Sequence, residues 1–248
     1  MQLDIHYYAT CCLAQKAGIE KSELLAWADY FTDKLTKPRL HGIQTQAEPI
    51  GNWFDRHIQR TVLAVFHFLP GDKLENKWVV TPNCRLANHI IDAAENEIEL
   101  GIALHTLQDT FSHQGWTGFC EPYNACEGLI EGMVPNVGHA DMKNTPDKPN
   151  GIWTDPRTEQ KIDNRQRAMA CLKRTYEVLC EWSEKKNDWE DLLSRFEVWV
   201  NIRKREERIG AMMDLGVTGR FEDITKKYNR KYRDEFEEAA AKQLSMAI

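Results

Sequence analysis

The sequence predicts an all-α protein, a single helical domain interrupted by one long irregular loop at about 114–157. Three observations predict it. Apolar residues recur mostly at steps of three and four, the period of a helix with one buried face. Stop signals such as Pro70-Gly71-Asp72 punctuate that pattern. From Gln114 to Pro156 the periodicity vanishes and Gly, Pro and Asn take over. A loop that long inside a compact domain is more often functional than not.

The elements follow in order. A first helix is expected over about 7–17, stopped by Gly18. A second begins near Ser22, with Glu23 just after it as an N-terminal signal, and ends around Lys34. Residues 36–52 carry Pro38, Gly42, Pro49 and Gly51 and read as loop. Within 53–69, the apolar run from Thr61 to Leu69 suits either helix or strand. Residues 83–112 read as two abutting helices or one long one, with Gly101 inside. Helices resume at about 158–185, 188–213 and 219–246. The last has Phe221, Ile224, Tyr228, Tyr232, Phe236 and Ala240 on one stripe, which is core spacing. One domain over 1–248 is the reading, with a C-terminal helical subdomain at 158–248 as the alternative.

Charge and composition exclude several classes. Acidic residues number 38 and basic residues 32, a net charge of −6, so no overall basic field points to nucleic acid. The runs Arg203-Lys204-Arg205 and Lys226-Lys227 lie among acids and read as solvated helix faces. No run of about 18 apolar residues suggests a membrane span. The segment Met1 to His6 lacks the basic and apolar regions of a secretory signal, so the chain reads as cytoplasmic. The seven cysteines include no C-x-x-C pair and read as reduced thiols, although Cys120 and Cys126 share a loop in which they could pair or bind metal.

The chemistry is concentrated in Leu100 to Trp116. His105, Asp109 and His113 are spaced by four. On a helix each such step turns by only about 40°, so the three side chains stack on one face. Imidazole and carboxylate suit a borderline ion such as Zn²⁺, and a carboxylate in the middle can bridge two ions. Leu104, Leu107 and Phe111 fall on other faces, available for the core. Other groups must complete such a site. His67 ends an apolar run, and His139 lies in the long loop. Asp29 and Asp33 are four apart among aromatics. Asp4 and His6 would point the same way if residues 4–6 were extended.

The pattern L-G-x-A-L-H-x-x-x-D-x-x-x-H resembles the core motif of the zinc-dependent phospholipase C and zinc single-strand nuclease superfamily. A closer resemblance is to a bacterial family of unknown function related to those enzymes. It rests on an ordered set over about 2–170: Asp4 to Tyr8, His67 to Gly71, Leu100 to Gly118, Gly138 to Ala140, Pro146 to Pro149 and Trp153 to Arg157. The resemblance implies an all-helical fold with two or three divalent ions, zinc above others. It implies His67, His105, Asp109, His113 and His139 as ligands, one acid from the Asp29/Asp33 segment with Asp33 preferred, and His6 as the N-terminal ligand. The enzymes' N-terminal tryptophan, whose free amine binds zinc, is absent. Their downstream glutamate falls at Lys143, so Asp141 or Asp147 would have to stand in.

The expected function is metal-dependent hydrolysis of a phosphoester, small-molecule or lipid, with Asp109 as bridging ligand and Asp33 as ligand or general base. Lys143 or Arg157 could neutralise a phosphate. Trp116, Phe119, Tyr123 and Trp153 could form a pocket wall or lid. The alternative is a metal-stabilised structural or binding protein without turnover, whose ligand shell would be closed. A His/Asp phosphohydrolase would need a His-Asp dipeptide, and none occurs.

Overall fold

The computed structural model describes residues 1–39, 41–74, 76–126 and 136–247. The part of the expected irregular loop at 127–135 therefore lies outside the described residues. The protein is mainly helical, as the periodicity predicts. Its helices are α1 (Thr10–Lys16), α2 (Ser22–Phe31), α3 (Arg56–Ile58), α4 (Arg85–Asp92), α5 (Glu97–Ser112), α6 (Asn164–Trp182), α7 (Trp189–Asn201), α8 (Arg205–Asp214), α9 (Phe221–Lys231) and α10 (Arg233–Ala247). Two antiparallel hairpins add β1 (Asp72–Leu74) with β2 (Lys77–Val79), and β3 (Ile152–Thr154) with β4 (Lys161–Asp163).

The frame of the site is the pair α2 and α5. Gly101 lets them approach: a Cβ there would lie 2.4 Å from the Leu25 carbonyl oxygen and 2.7 Å from the Ala28 Cβ. One turn further along α5 comes His105, while Asp29 stands at the contact on α2 and Asp33 follows in the turn just after that helix. The close helix contact thus brings two acids to a histidine. The buried side of α5, including Leu100, Leu104, Leu107 and Phe111, joins a core that takes in both halves of the chain, from Ile5 and Trp27 to Trp199 and Phe236.

Several expectations on local structure change. Residues 4–6 are not extended: Asp4–Ala9 is a π-helical turn that runs directly into α1. The ambiguous run before Pro70 is helical: α3 is continued by a π-helix, Gln59–His67. Both π segments carry a candidate ligand, His6 and His67, and π turns inside helices are frequent at functional sites.

The helix expected from 158 begins only at Asn164, because Lys161-Ile162-Asp163 pairs with β3 and the Asp163 carboxylate caps α6 through the Arg165 N–H. The expected helix 188–213 breaks after Asn201. Arg208 draws the carbonyls of Ile202 and Arg203 out of the helical ladder, its Nη1 donating to them at 2.7 and 3.1 Å. The expected helix 219–246 breaks at Tyr232 into α9 and α10. Its stripe still faces inward, with Phe221, Phe236 and Ala240 fully buried.

The irregular stretch has a small core of its own. Trp116, Cys126, Val137 and Trp153 pack with Ala47, Val62, Leu63, Phe68 and Val80. That burial, and the Asn164 side chain, order the loop without regular structure. Asn164 Nδ2 donates to the carbonyls of Thr145, Pro146 and Lys148 at 2.9–3.1 Å, and its oxygen accepts from Trp153 Nε1 at 3.0 Å. All seven cysteines are free, so Cys120 and Cys126 do not pair. Among the described residues no helix is long and apolar enough to cross a membrane.

Candidate metal centre

Three groups of metal-type ligands form, and each keeps its ligand atoms within 4.8 Å of one another: His6 with His105 and Asp109; Asp33 with His67 and His105; His113 with His139 and Asp147. Every histidine and aspartate put forward as a metal ligand by resemblance is in this set: His6, Asp33, His67, His105, Asp109, His113 and His139. Asp147, not Asp141, takes the remaining acidic place. Asp141 instead accepts the Cys126 N–H at 3.1 Å. Asp4 is not a ligand. It forms a buried ion pair with Arg208, whose Nε donates to it at 2.5 Å. That pair ties the turn carrying His6 to α8.

Asp109 is central. One of its oxygens lies 3.3 Å from His6 Nε2, and the other lies 3.2 Å from His67 Nδ1, 3.5 Å from His105 Nε2 and 3.7 Å from His113 Nδ1. The α5 spacing explains this: His105, Asp109 and the C-cap His113 succeed each other along one face. A mid-helix carboxylate that touches both neighbours in sequence and two histidines from elsewhere is the geometry of a shared ligand.

Four of the five histidines have the second nitrogen hydrogen-bonded to a protein oxygen, which fixes the ring and the tautomer, while His105 Nδ1 is buried without such a bond. His6 Nδ1 lies 2.8 Å from both Asp29 and Gln108 Oε1. His105 Nδ1 faces the same Asp29 oxygen at 3.4 Å. His67 Nε2 donates to the Thr45 carbonyl at 2.8 Å, His113 Nδ1 to the His67 carbonyl at 2.6 Å and His139 Nδ1 to the Lys143 carbonyl at 2.8 Å. The opposite nitrogens face the acids: His113 Nε2 lies 3.0 Å, and His139 Nε2 3.5 Å, from Asp147. His6 Nε2 is buried with no hydrogen-bond partner. Leaving such an atom unpaired costs about 1–3 kcal/mol, which a metal ligand would not incur.

Behind the first histidines lies a polar network that the spacing did not disclose. Thr10 donates to Asp29 at 3.0 Å and accepts from Gln108 Nε2 at 2.9 Å. Asp29 therefore does not share the place of Asp33. It aligns His6 and His105 from behind, while Asp33, its side chain 20% exposed, faces outward. The one sequence hint was Thr10, four after His6 on the same turn of helix.

Electrostatics follow the geometry. Burial works against charge on His105, but Asp109 and Asp33 outweigh it and lift it to about 10. Burial, with no equal compensation from Asp147, pulls His139 down to about 4. Burial would raise Asp147, yet His139 and the Met1 ammonium hold it far below the usual carboxylate range. The Met1 ammonium itself donates to Asp109 and lies 3.4 Å from Asp147. Burial opposes its charge, but Asp109, Asp147 and Asp33 raise it to about 11. A cation is thus accommodated between Asp109 and Asp147 in this structure.

The cluster forms the floor of a cavity of about 640 Å³. Its aromatic wall is Tyr30, Trp53 and Phe68. The expected wall of Trp116, Phe119, Tyr123 and Trp153 is not there. Trp116 and Tyr123 are stacked by the Arg157 guanidinium, Phe119 lies under Arg56, and Trp153 is tied to Asn164. Arg157 is occupied as well, clamping Asp155 and the Gly115 carbonyl. Lys143 does line the cavity. His139 reaches it because Gly138, at φ +51°, passes where a Cβ would meet the Phe68 ring at 2.1 Å.

A family model described as "Family of unknown function (DUF6765)" matches residues 1–247. The chain belongs to this family. No curated protein and no solved structure matches it.

Proposed function

We propose that this protein is a metal-dependent hydrolase that holds two or three divalent ions, zinc by the chemistry of the ligands, and cleaves a phosphoester bond. The observation that carries the proposal is the grouping of five histidines and three aspartates into three ligand sets, six of whose residues, Asp33, His67, Asp109, His113, His139 and Asp147, line one cavity while His6 and His105 lie buried behind them. The residues fit such ions. His6 Nε2 is an orphaned buried nitrogen, four of the five histidines are aligned by hydrogen bonds to protein oxygens, and Asp109 and Asp147 already face a positive charge. His6 with Asp109 would hold one ion, Asp33 with His67 a second and His113, His139 and Asp147 a third; the one free nitrogen of His105 would serve either of the first two, and the second oxygen of Asp109, beside His67, would be available to the second.

Ions bound there would supply Lewis acidity to a phosphoryl oxygen and lower the pKa of water toward neutrality. The side chains do the rest. Asp33 is the ligand carboxylate most open to the cavity and is placed to accept a proton from an attacking water. Tyr30, Trp53 and Phe68 form walls that limit water around the reacting group. Asp109 holds the histidines in one constellation and carries no exposed surface of its own beyond 2%.

A second reading has one observation in its favour. The set of His6, His105 and Asp109 is fully buried, the form of a closed structural site, so one ion would serve the fold rather than turnover. The set with Asp147 opens to the cavity and supports hydrolysis. The test is elemental analysis of protein purified without chelator, followed by a screen against phosphomonoesters and phosphodiesters. Hydrolysis that is present in the native protein and absent from Asp109→Ala supports the proposal. A fully loaded protein that hydrolyses neither class leaves the structural reading in its place.

A further inference from the structure

The cavity over the ligand sets has a cationic rim. Four side-chain carboxylates line it: Asp33, Glu48, Asp109 and Asp147. Three of these belong to the ligand sets, so among the described residues Glu48 is the one left to balance Lys34, Lys143 and Arg205, which line the same cavity. In a chain with an excess of acids, three cations against one free acid is a local reversal of charge. Divalent ions on the floor would add to it.

Among the described residues none of the three cations is locked in a buried ion pair. Lys34 rests its ammonium over the Tyr30 ring at 4.7 Å and hydrogen-bonds the Tyr30 hydroxyl, and Arg205 meets its sequence neighbour Glu206 at 3.7 Å, a pair between exposed side chains worth little. Lys34 and Arg205 line the cavity together with Tyr30, and Lys143 lines it from the irregular segment after His139. Its backbone has φ +52°, a left-handed conformation that a lysine adopts at a cost, while its carbonyl pins His139. Arg205 belongs to the Arg203-Lys204-Arg205 run that reads from sequence as a solvated helix face. The fold brings its last member to the cavity.

We propose that the substrate is a phosphoester carrying a second anionic group, a further phosphate or a carboxylate, which Lys34, Lys143 and Arg205 receive while the scissile phosphate lies at the ligand sets. This rests on the hydrolase reading above. A diester whose remaining surface is neutral would leave the rim uncompensated, whereas a second anion in the same cavity would compensate it.

The test uses the full-length, metal-loaded protein and two probes with the same phosphonate head, propylphosphonate and 3-phosphonopropionate. Isothermal titration should show 3-phosphonopropionate binding roughly tenfold or more tightly, on the order of what one or two charge contacts contribute. K34Q, K143Q and R205Q should each reduce that preference by about two- to fivefold, leave propylphosphonate binding unchanged and leave metal content unchanged. Raising ionic strength to about 1 M should erase most of the preference, because exposed charges are then screened within a few ångström. Equal affinity for the two probes, or a preference that survives all three substitutions, overturns the rim assignment and leaves the hydrolase reading standing. Failure of both phosphonates to bind the metal-loaded protein overturns the hydrolase reading and this one with it.

Discussion

The two ends of the ligand cluster are built differently. At the inner end His6, His105 and Asp29 are entirely buried, and all three sit on helical segments locked by Thr10 and Gln108. At the outer end His139 and Asp147 sit on irregular chain, their side chains 12% and 14% exposed, held by backbone carbonyls and by Asn164. The inner end is aligned by side chains across α2 and α5 and has no route to exchange its groups. The outer end is aligned by the path of a loop and faces the cavity. The difference separates holding from turnover: ions at the inner end should be slow to leave and support the fold, and those at the outer end should be labile and accessible to ligands.

Substitutions break this comparison in graded ways. Asp109 belongs to both ends, so Asp109→Ala should have the largest effect, with metal content falling by at least two ions per chain by elemental analysis. A loss of one ion or fewer would remove Asp109 as a shared ligand. Asp29→Asn keeps the shape and removes the charge behind His6 and His105. It should weaken metal at the inner end by about 10–100-fold, the usual range for partners of ligating histidines, and leave the outer end intact. Affinity that is unchanged on titration into apoprotein would mean that Asp29 merely fills space.

Asn164→Ala acts only on the outer end. It leaves the Thr145 and Pro146 carbonyls and the Trp153 N–H without a hydrogen-bond partner, the Lys148 carbonyl keeping the Gly151 N–H, costs about 1–3 kcal/mol for each group left unsatisfied, and frees the segment carrying Asp147. One ion should become labile to chelator while the others stay; full retention in a chelator time course would count against the role given to Asn164. Gly101→Ala should have the smallest effect on metal. The added Cβ forces α2 and α5 apart, and overpacking of this kind costs about 1–3 kcal/mol, read as a lower midpoint in thermal or denaturant unfolding. An unchanged midpoint would show that the helix contact has slack.

The same contrast decides what the sequence disclosed. The α5 ligands were legible because a spacing of four has one meaning on a helix. His67 and His139 came through resemblance, since nothing local brings either to α5. Asp147 remained one of two candidates because its place depends on Asn164, seventeen residues later, gripping a loop with no periodicity. Asp29 was visible as an acid but not as an aligning group, because its task needs Gly101 to set the helix distance. Asp4 was read toward the site and instead pairs with Arg208, 204 residues away.

The misread boundaries have similar causes. Three-residue strands carry too little alternation to register against a helical background. The break after Asn201 has no Gly or Pro. It comes from a guanidinium taking two carbonyls, which is a tertiary contact with no local signature. The aromatics of the long loop were credited to a pocket wall or lid because their composition suits one, yet Trp116 and Trp153 lie in the loop's own core and Phe119 and Tyr123 are held by Arg56 and Arg157.

Stepwise chelation followed by elemental analysis tests the central claim most directly. Protein purified without chelator should carry two or three divalent ions per chain, one fraction leaving quickly and the remainder slowly, with the unfolding midpoint falling mainly as the slow fraction leaves. Fewer than one ion per chain, in protein that is folded and has been offered zinc, would contradict the account.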